Sequence, residues 1–337
     1  MNHTICVLGA GSWGSALAAL LSGNGHEVTL WSIDEREVKM LHECREQKEK
    51  LPGVKIPDNI CVTSNLSEAV EGKEVLVFAV PSVYVRSTAK SVAPFYQKGQ
   101  IIVDVAKGIE EKTLMTLSQI LEEEIPDGEI CVLSGPTHAE EVGRKMPTTC
   151  VIGAKKKATA DYLQDLFMND YFRVYTSPDM TGIELGGALK NVIALAAGIA
   201  DGLGYGDNSK AALITRGIAE LTRLGMTMGG KMETFAGLSG IGDLIVTCTS
   251  KHSRNHNAGE LIGQGYSMEE AMDKVKMVVE GVYSAKAALT LSKEHNVSMP
   301  IVEQINQVLF EGKSAKEAVE ELLLRDKRVE NKSVNWE

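Results

Sequence analysis

The chain has 337 residues, 44% of them hydrophobic, so it carries ample apolar material for one large core or two ordinary ones, and most of it is excluded from the disordered class. Its 35 basic against 45 acidic residues leave a formal charge of −10, which speaks against a nucleic-acid or anionic-membrane surface. A small anionic substrate is still allowed, because it needs only local positive charge. Six cysteines (Cys6, Cys44, Cys61, Cys131, Cys150, Cys248) lie far apart with no C-x-x-C pair, which argues against a disulfide framework or zinc cluster and for reduced thiols in a cytoplasmic protein.

The N-terminus runs at once into Thr4-Ile5-Cys6-Val7-Leu8, without the basic and longer apolar regions of a signal peptide, so no targeting segment is expected. In chain order the spacing predicts strands over 4–8, 27–32, 60–63, 74–80, 100–105, 130–134 and 148–154, with crossover helices over 12–24, 34–49 and 113–123. This alternation is the form of a parallel sheet wrapped by helices. The nearly continuous apolar runs at 75–80 and 101–105 suit strands covered on both faces. From about residue 177 helical periodicity takes over, with helices expected over 178–202, 209–224, 283–294, 301–310 and 315–324. Pro178 suits a first helical turn and Gly202-Leu203-Gly204 a stop. The most apolar stretch, 192–200, is about half of the ~20 residues a membrane span needs, so no membrane insertion is expected. The tail from Arg325 is polar enough to fray.

Gly9-Ala10-Gly11-Ser12-Trp13-Gly14 is a G-x-G-x-x-G between the first strand and first helix, with a second strand after it and Asp34 twenty residues past the third glycine. That context marks a dinucleotide fingerprint: Gly9 makes the turn, Gly11 admits the diphosphate, and Gly14 lets helix and strand pack closely. The helix N-terminus would offer the diphosphate free N–H groups. Asp34, or Glu35, is placed to accept from the adenosine ribose, which favours NAD over NADP. Asp34 also suits a helix cap, and Arg36 suits a 2′-phosphate. The fold class expected is an α/β Rossmann-like N-terminal domain (1–180) followed by an all-α C-terminal domain (181–337).

In the helical half, Lys190 has Gly186, Gly187, Ile193 and Ala194 as its helical neighbours and no acid among them. Small apolar neighbours leave room for a ligand and desolvate the ammonium, lowering its pKa toward a useful range for proton transfer; snorkelling off a buried helix is the alternative. Between Asp243 and Glu260 lie sixteen residues without an acid, where 45 acids in 337 residues would put about two. That stretch carries Lys251, His252, Arg254 and His256, and Ser253-Arg254-Asn255 offers a hydroxyl, a planar fork and an amide suited to phosphate oxygens. His252 and His256 share a helix face, but no nearby acid or cysteine completes a ligand set, so no metal is expected. Asp243 ends a Gly-rich loop and suits either a helix cap or a partner for Lys190.

With Val105-Ala106-Lys107-Gly108-Ile109-Glu110, Leu133-Ser134-Gly135-Pro136-Thr137-His138-Ala139, Gly187-Ala188-Leu189-Lys190-Asn191, Gly240-Ile241-Gly242-Asp243, Ser253-Arg254-Asn255 and Val278-Val279-Glu280-Gly281, the motifs follow one order over residues 4–325. In these the chain resembles the bacterial NAD(P)-dependent glycerol-3-phosphate dehydrogenases. The resemblance implies NAD(P)H-dependent, reversible reduction of dihydroxyacetone phosphate to sn-glycerol 3-phosphate, feeding phospholipid synthesis, in a cytoplasmic homodimer. It implies Lys190 as the group exchanging a proton with the C2 oxygen, Asp243 as its partner and Lys107 beside the carbonyl. Substrate contacts are implied for Gly135, Thr137, Asn191, Thr247, Ser253, Arg254 and Asn255. Cofactor contacts are implied for Gly9, Gly11, Ser12, Trp13, Gly14, Asp34, Lys107, Ala139, Arg254, Val278 and Glu280. NADP-using relatives often carry His or Arg where this chain has Ile33 and Asp34, which reinforces NAD. Two competing readings are a dehydrogenase of the same build acting on a 3-hydroxy acid, and a nucleotide sensor without turnover. A sensor has no use for Lys107, Lys190 and Asp243 together.

Overall fold

The computed structural model describes residues 2–327, 329 and 330; the end of the tail expected to fray lies outside them. Strands β1 (Thr4–Leu8), β2 (Glu27–Trp31), β3 (Cys61–Thr63), β4 (Val75–Phe78), β5 (Ile101–Asp104), β6 (Glu129–Ser134), β7 (Thr148–Ala154) and β8 (Phe172–Ser177) form one sheet, ordered β3-β2-β1-β4-β5-β6-β7-β8. Alternation along β1 shows why its run is apolar throughout. Ile5 and Val7 pack on one face with Leu17, Leu20 and Leu21 of the Ser12–Gly23 helix, while Cys6 and Leu8 pack on the other with Ala89, Val92 and Leu121. The seven expected strands are present with ends shifted by no more than two residues.

Two features of the sheet differ from expectation. β8 alternates buried and exposed side chains along Phe172-Arg173-Val174-Tyr175, the pattern of an edge strand, and lacks the apolar run that marks the central strands. β7 runs antiparallel to β6, with Cys131 opposite Ala154 and Ser134 opposite Val151, so the sheet is not parallel throughout. The chain between them holds only the five-residue helix Ala139–Gly143, at ~1.5 Å per residue far too short to carry it back across a sheet face.

The strand order reverses at β1, which pairs with β2 on one side and β4 on the other. Gly9, just past β1, lies against the Ala79 carbonyl just past β4, so the glycine loop opens at this reversal.

From Met180 the chain is helical. The Met180–Gly202 helix is capped by Asp179, whose side chain accepts from the Gly182 N–H; Pro178 therefore precedes the cap and is outside the first turn. By length and composition this helix is long enough and apolar enough to cross a membrane, which a count over 192–200 misses because Lys190-Asn191 interrupts the run. It is buried along nearly all its length within the helical core, among Leu221, Leu224, Phe235 and Val282. The Arg254–Gly263 helix, not foreseen as a helix, packs on it backbone to backbone. A methyl group at Gly198 would lie 2.0 Å from the His256 carbonyl, and one at Gly259 would lie 2.1 Å from that of Leu195.

Buried carboxylates join the two halves. Glu184 accepts from the N–H (2.7 Å) and Oγ (2.6 Å) of Ser118, at the start of the Leu117–Glu124 helix. Glu280, opening the Glu280–Glu294 helix, accepts from the N–H (3.1 Å) and Oγ of Ser82, in the 3₁₀ turn after β4. Each satisfies backbone donors that a helix start leaves open.

Candidate active site

The glycine loop has the shape that a diphosphate requires. Gly9 sits at φ +115°, a left-handed conformation, and a methyl there would come within 2.8 Å of the Ala79 carbonyl; one on Gly14 would lie 1.9 Å from the Gly9 carbonyl. At Gly11 nothing lies within 4 Å of that position. The helix that starts at Ser12 and Trp13 has no side-chain cap bond and no acid in its first turn, so its N–H groups are left for an anion. Trp13 is half-buried against the core beneath the loop.

At the end of β2, Asp34 caps the Glu35–Cys44 helix through the Arg36 N–H (2.9 Å) and also grips the Arg36 guanidinium, with Nε at 3.1 Å and Nη2 at 2.8 Å. Arg36 pulls the Asp34 carboxyl down to about 2. The cap and a ribose acceptor are compatible, whereas Arg36 is held away from the free role of greeting a 2′-phosphate. Ile33 beside it is 84% exposed, a large apolar side chain in solvent at the edge of this loop.

Across the cleft, three residues distant in sequence meet. Lys107, just beyond β5, donates to the Asp243 carboxylate at 2.6 Å and to the Gly135 carbonyl at 2.9 Å. Lys190 donates to the other Asp243 oxygen and, at 2.6 Å, to Thr247 Oγ1. Lys190 is only 4% exposed, so it does not snorkel. The approach depends on Gly186 and Gly187. A methyl at Gly186 would lie 2.6 Å from the Ser239 carbonyl, in the π-helical turn Leu238–Gly242 that delivers Asp243, and one at Gly187 would lie 3.4 Å from the Lys107 side chain. The room beside Lys190, read from the sequence as space for a ligand, is taken by the loop and the second lysine.

Burial lowers the Lys190 pKa to about 7; Asp243 opposes that shift and Lys107 adds to it. Burial resists ionisation of Asp243, but the two ammoniums outweigh it, and its pKa lies below the ordinary value. One carboxylate thus serves two lysines, and with both protonated the three groups carry one net positive charge.

The remaining expected residues divide into those without a side-chain partner among the described residues and those whose polar atoms are already bonded. Arg254, half-buried at the start of its helix, makes no hydrogen bond or salt bridge among the described residues, although its charge is felt by Glu280. Asn255, in contrast, spends its amide on Asn191 Oδ1 (3.0 Å) and its oxygen on the Gly281 N–H (2.8 Å), so it is tied on both sides and Asn191 Nδ2 is left as the donor. Ser253 Oγ is the cap of its helix, accepting from His256 N–H at 3.2 Å. Thr247 accepts from Lys190 and donates to the Asp243 carbonyl, and Thr137 donates to the Gly135 carbonyl at 3.1 Å. Gly135, at φ +145°, brings its carbonyl to Lys107. Ala139 opens the short helix after it, and half-buried Val278 lies in the turn before Glu280, whose own carboxylate faces Ser82. His252 and His256 do not converge: His252 lies 6.0 Å from the His138 ring, and His256 pairs with Asp201 at 2.8 Å. Sequence reasoning gave no role to Ser82 or His138. His138 stood inside a quoted motif, and only its position in space marks it.

A doubly wound sheet with an open phosphate-binding loop, facing two lysines on one buried carboxylate, defines a nicotinamide-dinucleotide oxidoreductase. Family models described as the N-terminus and C-terminus of NAD-dependent glycerol-3-phosphate dehydrogenase match residues 4–160 and 179–320. The chain is 63% identical over 330 residues to a glycerol-3-phosphate dehydrogenase [NAD(P)+] of Agathobacter rectalis, covering 98% of each chain. Against the Bacillus subtilis enzyme of the same name identity is 52% over 326 residues, covering 96% of this chain and 94% of the other. The crystal structure of glycerol-3-phosphate dehydrogenase from Coxiella burnetii superposes with a TM-score of 0.93 at 35% identity, over 96% of this chain and 99% of that one. The chain belongs to the NAD-dependent glycerol-3-phosphate dehydrogenase family, and NAD(P)H is its cofactor.

Proposed function

We propose that the chain catalyses the reversible reduction of dihydroxyacetone phosphate to sn-glycerol 3-phosphate, for phospholipid synthesis, and that the Lys107–Asp243–Lys190 cluster carries the proton chemistry. The observation that supports this most directly is the buried Lys190, held by Asp243 and Thr247 with its pKa brought to about 7. When bound, the dinucleotide supplies or accepts the hydride. As negative charge grows on the substrate oxygen, the Lys190 and Lys107 ammoniums oppose it, and Lys190 Nζ delivers the proton that completes the C2 hydroxyl. Asp243 holds both amines in place without titrating. Arg254, with no hydrogen-bond or salt-bridge partner among the described residues, forks onto the substrate phosphate with Asn191 Nδ2 nearby, so the phosphate end fixes the carbonyl. Ser253, Asn255, Thr247, Thr137 and Gly135 act chiefly by positioning these groups.

The diphosphate is taken by Gly9, Gly11 and Gly14 with the helix start at Ser12 and Trp13, alongside Ala139 and Val278. NAD is preferred over NADP, because Asp34 is anionic and already grips Arg36. Residues 1–180 form the cofactor domain and 181–337 the catalytic domain, a division supported by the sheet's end at Ser177 and the cap at Asp179. A homodimer agrees with Met226, Met232 and Ile245 left exposed on the helical half, and a cytoplasmic setting agrees with six unpaired cysteines.

The test is the NADH absorbance band. Dihydroxyacetone phosphate is expected to start oxidation of NADH and a 3-keto acid is not; the opposite result would move the chain to hydroxy-acid chemistry.

A further inference from the structure

His138 sits where the two halves meet. It stands at the N-cap position of the Ala139–Gly143 helix, and its ring lies beside the backbone of Val246, in the Asp243–Thr249 helix that carries Asp243 and Thr247. The ring nitrogen Nε2 is buried and has no hydrogen-bond partner among the described residues. An orphaned buried nitrogen calls for a partner, and one among the charges of Lys190, Lys107 and Asp243 points to a ligand atom. A neutral imidazole carries one proton, and the tautomer that holds it on Nδ1 leaves Nε2 a lone pair.

The charged groups facing the ring are Lys190 and Lys107, which disfavour a second proton on it, and Asp243, which favours one. Burial is the largest influence, and together they bring the His138 pKa down to about 4. The imidazole is therefore neutral at assay pH, and in the Nδ1–H tautomer Nε2 is an acceptor. The His252 ring lies 6.0 Å away, tilted by 56°. The Lys107 and Lys190 amines and the Arg254 guanidinium are donors, and the Asp243 and Gly135 oxygens already accept from the lysines, so Nε2 is a free acceptor for the hydrogen of a hydroxyl entering among them.

We infer that His138 Nε2 accepts a hydrogen bond from the free C1 hydroxyl of the substrate and so selects hydroxymethyl ketone phosphates over their deoxy counterparts. The inference rests on the assignment of dihydroxyacetone phosphate as substrate. His138 is a specificity residue: it exchanges no proton, and it acts by leaving a buried acceptor unmet when the hydroxyl is missing.

The experiment compares kcat/KM for dihydroxyacetone phosphate and for acetol phosphate, which has a methyl group in place of the hydroxymethyl, in the unaltered enzyme, His138→Phe and His138→Gln. The unaltered enzyme is expected to prefer the hydroxylated substrate by roughly ten- to a hundredfold. His138→Phe is expected to lose most of that preference, through a fall with dihydroxyacetone phosphate and little change with acetol phosphate. His138→Gln, which keeps an acceptor oxygen, is expected to retain part of it and guards against a folding defect in the first variant. Equal losses on both substrates in both variants, or an unchanged preference in His138→Phe, would overturn the inference and leave the reaction assignment standing. If the unaltered enzyme turns over neither phosphate, the reaction assignment falls and takes this inference with it.

Discussion

The glycine loop occupies six consecutive residues, Gly9 to Gly14, and works through backbone: a tight turn, an open face at Gly11 and a bare helix start. The lysine cluster is built of side chains from positions 136 and 53 residues apart, brought together by glycines that let a loop and a helix touch. In the first region the ligand replaces missing partners for N–H groups. In the second the protein supplies every partner in advance and leaves a tuned charge. The loop therefore governs affinity for the dinucleotide, and the cluster governs the rate of the proton step. Each can be broken without the other.

The largest effect is expected from Lys190→Met, which keeps the apolar volume and removes the amine. Turnover with dihydroxyacetone phosphate should fall on the order of 10³-fold, the usual worth of a positioned acid that also stabilises charge. NADH binding, followed by fluorescence titration, should change little. A variant that turns over normally would remove Lys190 from the chemistry, and one that loses NADH binding would join the two regions that the comparison separates.

Gly14→Ala tests the other side. Its methyl would lie 1.9 Å from the Gly9 carbonyl, so loop and helix must part. Overpacking of this kind costs about 1–3 kcal/mol, which spent on the loop weakens NADH binding by roughly ten- to a hundredfold. With saturating NADH, turnover should recover to within a few-fold. Unchanged affinity would mean that the loop's geometry is not what holds the dinucleotide.

A pH profile sharpens the role of the cluster. Lys190 has its pKa lowered to about 7, so it is charged below that pH and neutral above it. Ketone reduction needs the charged form, so kcat/KM should be level below pH 7 and fall about tenfold per unit above it. Alcohol oxidation needs the neutral form and should rise tenfold per unit up to the same point and then level. Asp243, its pKa depressed by the two lysines, should add no break in this range. The inflection should vanish in Lys190→Met; its survival there would assign it to another group.

The sequence carried the two regions unequally, for a physical reason. A turn, a helix start and an acid at fixed spacing are local, and all of the loop was readable from residues 9–34. Lys190 was conspicuous because a lysine among small apolar neighbours is costly, but its partners are non-local: no spacing rule connects Lys107 to Asp243. The same limit explains Asn255, whose amide reads as a phosphate donor in isolation and proves to be tied to Asn191 and Gly281. It also explains His138, whose orphaned nitrogen exists only once two halves meet. β8 was missed because an edge strand lacks the apolar run, and the antiparallel β7 because a short helical segment between two strands does not declare its direction.

The smallest expected effect lies at the loop's rim, where the two regions are most independent. Asp34 does two things: it caps a helix, and it holds Arg36 by two side-chain bonds. Asp34→Ala removes a negative charge from the ribose side and frees a guanidinium beside it, and both changes should help a 2′-phosphate. Because Arg36 is exposed and solvent-screened, the gain should be modest: about fivefold in kcat/KM with NADPH, against a loss of similar size with NADH as ribose acceptors disappear. Asp34→Asn separates the causes, since it keeps the cap but not the charge. If it shifts preference as far as alanine does, charge sets the cofactor choice. If it behaves like the unaltered chain, the cap and the posture of the β2 end set it. Neither variant should move the pH inflection, because Lys190 takes its pKa first from burial and then from Asp243, Lys107 and Cys248, and Asp34 is not among these.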